Sequence, residues 1–148
     1  IKTTINLPGN ILLAHRNLVE DFEDPDVLAG FLIVEKLRSQ TYNPIEELLQ
    51  NISLISTFRL LTTGLINDET LMDYADYLVT KPQEFIQSQE IIKAFHDSKL
   101  SLLPFAKAID ITGEGSLELI EADEIRKSPV ETSLPDASWV SLQNICNI

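Results

Sequence analysis

Between positions 110 and 121 the chain reads D-I-T-G-E-G-S-L-E-L-I-E, the stretch whose residue types and spacing come nearest to a chemical site. Calcium is a hard cation that takes several oxygen ligands from a short loop, with a glycine to turn the backbone sharply. Asp110, Thr112, Glu114, Glu118 and Glu121 supply oxygens at positions 1, 3, 5, 9 and 12 of this window, and Gly115 stands at position 6. Two of these depart from the preferred types. Thr112 offers a weak neutral oxygen, and Glu114 is longer than a compact loop favours. The competing expectation is a plain turn, because Thr112-Gly113-Glu114-Gly115 is a composition that turns use for their backbone freedom.

With Asp110 at 1, Gly115 at 6, apolar Leu117 at 8 and Glu121 at 12, the segment resembles an EF-hand calcium loop, over some 12 to 25 residues. The resemblance implies calcium as the cofactor and helices on both flanks, carrying Phe105, Ala106 and Ile109 before the loop and Ile125 after it. EF-hands usually pair. The partner on offer is 59–70, with Gly64 at position 6 and Ile66 at 8, but it has arginine at 1 and threonine at 12 and could not hold calcium. The alternative implied is a degenerate EF-hand-like module. Otherwise no cofactor is expected.

Catalytic inventory is sparse. His15 and His96 are 81 positions apart, and neither sits at a zinc-ligand spacing. Cys146 is the lone cysteine and lies three residues from the end, a poor setting for a nucleophile. It rules out an intramolecular disulfide and points to a reducing, cytoplasmic compartment. No phosphate-binding or dinucleotide-binding glycine motif is present. The expectation is that the chain is not an enzyme.

Net charge is −12, from 23 acids against 11 bases. That balance opposes direct contact with nucleic-acid phosphates and with an anionic membrane surface. The longest apolar run, 27–34, covers eight residues, too few to span a bilayer. The acids form three groups: Glu20, Asp21, Glu23, Asp24 and Asp26; Asp68, Glu69, Asp73 and Asp76; and Asp110, Glu114, Glu118, Glu121, Asp123 and Glu124. They are solvated faces and helix starts, or a surface for a basic protein partner, or a decoy that mimics nucleic acid. Opening on Ile1 without methionine, the chain is expected to be processed or cut from a longer polypeptide.

The elements that must position these residues are helices. Asp24-Pro25-Asp26, Asn43-Pro44-Ile45-Glu46 and Lys81-Pro82-Gln83-Glu84 each place a proline where a first helical turn tolerates it and a carboxylate where the helix dipole favours it. Helices are predicted over 11–21, 25–39, 44–63, 68–80, 82–96 and 100–109, after an extended start that ends at Pro8-Gly9-Asn10. The second is apolar all round and therefore central. Asn43 caps the third at its start and Gly64 at its end. In the fourth, Leu71, Met72, Tyr74, Ala75, Leu78 and Val79 are expected to be buried.

The predicted fold is all-α, an irregular bundle of about five to six helices with a possible helical-hairpin repeat. It has a helical domain at 1–109 and an extended, partly β tail at 110–148. Alternation in Ser138-Trp139-Val140-Ser141-Leu142 suggests a strand. Trp139, Val140 and Leu142 either fold back on the helices or anchor a partner. The function expected is a non-enzymatic interaction domain, an adaptor, assembly factor or subunit of a larger complex.

Overall fold

Short local signals, more than long periodicities, decide where the elements begin and end. The computed structural model describes residues 3–9, 11–123 and 132–145. Ile1, Asn10, Glu124, Ile125 and Cys146, named above, lie outside the described residues. The chain is mostly helical, with one antiparallel hairpin among the described residues.

The hairpin corrects the first predicted helix. Strands β1 (Thr4–Leu7) and β2 (Ile11–Ala14) pair in the register Thr4 with Ala14 and Leu7 with Ile11. Gly9 has a positive φ of 87° in the turn between them. The Pro-Gly turn joins two short apolar runs, and such runs zip together instead of extending a helix. The helix predicted over 11–21 shrinks to α1 (Asn17–Glu20). Thr4 is buried and donates its hydroxyl to Glu35 Oε2 at 3.0 Å. Arg38 Nη1 donates to the same oxygen at 3.1 Å, so the buried carboxylate is matched on both sides.

Helix α2 (Pro25–Thr41) is central, as its all-round apolar character predicts. Asp24 caps it by accepting from the Asp26 N–H at 2.9 Å. Val27, Leu28, Phe31 and Val34 are buried. Gly30 lets the next layer approach closely: a β-carbon there would sit 2.7 Å from that of Phe105. Phe31 meets the Phe105 ring edge-on at 5.1 Å between centroids, and Phe95 lies 5.3 Å from it.

The single helix predicted over 44–63 is two, α3 (Pro44–Asn51) and α4 (Leu54–Thr63). Ile52 is extended, at φ −107° and ψ 155°, and Ser53 starts the second helix by accepting from the Ser56 N–H at 3.1 Å. A serine hydroxyl competes well for those N–H groups, and this one resets the helix. Gly64 closes α4 in the left-handed conformation, at φ 70°. Helix α5 (Asp68–Thr80) follows.

The next predicted start, at Pro82, fails. Residues 82–87 carry no helix, and α6 (Ser88–Asp97) begins six residues late. In that connector Ile86 is buried and Arg38 Nε donates to the Glu84 carbonyl at 3.2 Å. Helix α7 (Leu103–Ile109) starts where Asp123 Oδ2 accepts from Ser101 Oγ at 2.6 Å and from the Leu103 N–H at 3.2 Å.

The tail is not a strand where described. It holds α8 (Leu117–Glu121) and α9 (Asp136–Gln143). Pro135 stands extended at the N-cap of α9 and Asp136 puts a carboxylate in its first turn, a start that outweighs the alternation of 138–142. Leu119 and Trp139 belong to one core with Leu18, Phe31, Phe95, Phe105 and their neighbours. Gln143 Nε2 donates to the Val19 carbonyl at 3.0 Å, and the Ser133 N–H donates to buried Asp26 at 2.7 Å.

A candidate docking face on α4 and α5

Helix α4 carries an apolar stripe on its outer side. Its apolar residues Leu54, Phe58, Leu61 and, just beyond the cap, Leu65 recur at intervals of four, three and four. That spacing sets Leu54, Phe58 and Leu61 on one face of the helix, and Leu65 follows the left-handed Gly64 that ends it. An apolar face of this kind normally points inward. Here Leu54 is 88% exposed, Phe58 69%, Leu61 74% and Leu65 61%, and Ile55 beside them is 83% exposed. Contiguous apolar exposure of this kind makes α4 the candidate docking face.

The side of α4 that turns inward holds buried Ser56 with half-buried Thr57 and Leu60. Ser53 Oγ donates to Ser56 Oγ at 3.0 Å, and Ser56 Oγ meets Thr70 Oγ1 on α5 at 3.3 Å. Thr70 Oγ1 then donates to Asn67 Oδ1 at 2.6 Å. Run in that direction, each hydroxyl donates once and accepts once, and the chain of hydrogen bonds ends on an amide oxygen.

On α5 the predicted buried set divides. Tyr74 and Leu78 are buried, while Leu71, Met72, Ala75 and Val79 are exposed. The exposed acids Glu69, Asp73 and Asp76 recur at four and three, a second stripe along the same helix. From Leu60 through Thr80 the sequence has no lysine or arginine.

A polar clasp holds these helices to the body. Glu47 on α3 accepts from Lys81 Nζ and from the Tyr77 hydroxyl, the latter at 3.1 Å. Lys81 Nζ lies 4.5 Å above the Tyr42 ring and 5.8 Å from that of Tyr77, within cation–π range. Tyr74 and Tyr77 stack at 6.1 Å. The Lys81 and Glu47 side chains are only 15% and 16% exposed. Burial, with the charges of Glu35 and Glu47 behind it, pushes the Tyr42 phenol up to about 12. Burial and Glu47 push Tyr74 up to about 12 as well. Tyr77 shifts in the same direction, by burial and by its bond to Glu47. By contrast, the extensive contacts of α2 run to β1, α1, α6 and α7, and those of α3, α4 and α5 with other elements are slight.

The residues singled out from sequence fall elsewhere. Loop 110–116 joins α7 to α8, and Asp110 closes it on itself. Asp110 Oδ1 accepts from the Thr112 hydroxyl at 2.6 Å and the Thr112 N–H at 3.0 Å, and Oδ2 accepts from the Gly115 N–H at 2.6 Å. The Thr112 hydroxyl, foremost, and the Gly115 N–H hold the Asp110 carboxyl below its usual range. The positive φ falls on Gly113, at 76°, not on Gly115. Among the described residues no group of three or more His, Cys, Asp or Glu side chains converges on a metal position, so Glu114, Glu118 and Glu121 are not gathered about Asp110.

Trp139 is 4% exposed and lies in the chain's own core, not on its surface. Leu142 packs against that core and Val140 is 53% exposed. His96, in the last turn of α6, lines a depression of about 310 Å³ with Gln89, Lys93 and Asp123. His15 Nδ1 instead accepts from the Asn17 N–H at 3.3 Å. No protein family, curated protein or solved structure matches the chain.

Proposed function

We propose that this chain is a non-enzymatic helical interaction domain, an adaptor, assembly factor or subunit of a larger complex, whose α4–α5 face docks a basic protein partner. One observation carries it: the apolar seam of α4 faces solvent, with Leu54, Phe58 and Leu61 each more than two-thirds exposed. Full burial of a leucine or phenylalanine is worth about 1.5–3 kcal/mol, so these side chains left mostly in water are a large unrealised gain. A partner that covers them recovers it.

The nucleic-acid decoy draws less support. Asp26 is buried, and Asp110 and Asp123 accept from the chain's own N–H and hydroxyl groups, which takes them out of any exposed row of charges. Calcium at 110–121 draws less support too, because the Asp110 oxygens already serve the loop.

The test is a photo-crosslinking amino acid placed at position 58, with position 98, exposed at the end of α6, as control. In the cells that make the protein, one discrete adduct from position 58 and none from 98 is expected. No adduct, or equal adducts from both positions, refutes docking on this face.

A further inference from the structure

We infer that the α4 seam takes a basic amphipathic helix from the partner, with apolar residues at the same four-three-four interval and lysine or arginine along their flanks. This rests on the docking role proposed above.

The helical form of the ligand follows from what α4 offers. The backbone of a helix is hydrogen-bonded within itself, so no row of free N–H and C=O groups exists for an added strand. A strand also presents side chains at a period of two, which does not match this seam. Leu54, Phe58 and Leu61 span two turns of the helix, roughly 10 Å at 1.5 Å per residue, and side chains at this interval interlock with those of another helix.

The sign of the partner follows from charge. Helix α4 has no carboxylate of its own, and Arg59 is its single base. The helices joined to it by short turns bring exposed acids: Glu46 on α3, and Asp68, Glu69, Asp73 and Asp76 on α5. A second copy of the chain would bring the same acids and another net charge of −12 to the contact. Like charges set against each other across an interface are unfavourable, and a basic helix meets the opposite condition.

The experiment is a displayed library of helices of three to four turns. Each carries a fixed leucine seam at four-three-four spacing, with the flanking positions free among lysine, glutamate and serine. It is selected against the whole chain. Enrichment of lysine at the flanks is expected, with binding that weakens as salt rises. Loss of affinity by about thirtyfold or more is expected in Phe58→Asp/Leu61→Asp. The thermal midpoint of this variant should match the parent, since both side chains are already exposed. Should that variant misfold, Leu54→Ser at the most exposed seam position reads the same loss. Enrichment of glutamate or serine overturns the basic partner and leaves docking intact. An empty selection alongside a crosslink from position 58 overturns the helical partner and also leaves docking intact. Selected helices that still bind the aspartate variant overturn the seam as the site, and with an absent crosslink they end the docking role. Sedimentation that finds a micromolar dimer, dissolved by Phe58→Asp, gives the seam to a second copy and overturns the inference.

Discussion

Phe58→Ala and Phe95→Ala remove the same atoms from opposite surroundings. Phe95 is fully buried among Phe105 and the α2 side chains, whereas Phe58 is 69% exposed. Truncating a buried phenylalanine costs about 3–5 kcal/mol, from lost transfer energy and the cavity left behind. Phe58 has about a third of its surface to lose, worth about 0.5–1 kcal/mol, and the better helix propensity of alanine returns up to about 0.5 kcal/mol. With a urea dependence of about 2 kcal/mol per molar, Phe95→Ala should lower the unfolding midpoint by about 2 M and Phe58→Ala by less than about 0.5 M. The assay is urea unfolding at two protein concentrations, followed both by far-ultraviolet circular dichroism and by fluorescence of Trp139, the one tryptophan, buried in the same core as Phe95. If Phe58→Ala loses as much stability as Phe95→Ala, its ring is covered in solution and the outward seam is wrong. A midpoint that also moves with protein concentration would identify the cover as another copy of the chain.

Three further outcomes are expected. Lys81→Met leaves Glu47 mostly buried with only the Tyr77 hydroxyl beside it and should cost about 2–3 kcal/mol; adding Glu47→Gln should recover part of that, and a neutral Lys81→Met in thermal unfolding would show that the clasp holds nothing. All three tyrosines of the chain lie in the clasp, so tyrosinate absorbance should rise only above the ordinary value of about 10, towards the value of about 12 of Tyr42 and Tyr74. Because these folded values lie above the unfolded one, stability should be intact below about pH 10 and fall as pH rises towards 12; titration at 10 in the native protein would refute the clasp. Millimolar calcium should leave the thermal midpoint and Trp139 emission unchanged, whereas Asp110→Ala should weaken the loop above the carboxylate range and converge with the parent as acid protonates Asp110; a calcium-dependent rise in midpoint would restore the metal reading.

What could be read in the sequence followed strong local chemistry. The proline-carboxylate starts located α2 and α3, Gly64 marked the end of α4, and the unbroken apolar circumference of 27–34 placed α2 at the centre. The same start signal failed at Pro82, where Ile86 is buried from an extended connector, and the start at Pro135-Asp136 was overlooked. Ser53 divided a helix because its side chain reaches the N–H groups ahead of it, a contest that apolar spacing does not register. The α4 seam was visible as a pattern, but spacing does not say which face is covered. The missed signal lies on the other face. An ordinary surface helix sets several charges opposite its apolar stripe, and α4 has Ser56, Leu60 and Thr63 there, with Arg59 as its one charge. With a single charge, α4 has little surface suited to water, which is a reason to expect its leucines to be covered from outside. At Trp139 the sequence left two readings open, folding back on the helices or anchoring a partner, and the ring lies in the chain's own core.

The run of hydroxyls linking Ser53, Ser56, Thr70 and Asn67 has a dynamic consequence. Hydrogen bonds between neutral side chains give direction but little net adhesion, since water offers the same groups equivalent partners. Segments that bury few apolar contacts open at low free energy. Amide protons of α4 should therefore exchange with solvent deuterium well before those of α2. Bounded by the break at Ile52 and the turn at Gly64, that helix can tilt as a unit. Under the docking role proposed above, its final angle would be set by the partner that rests on it.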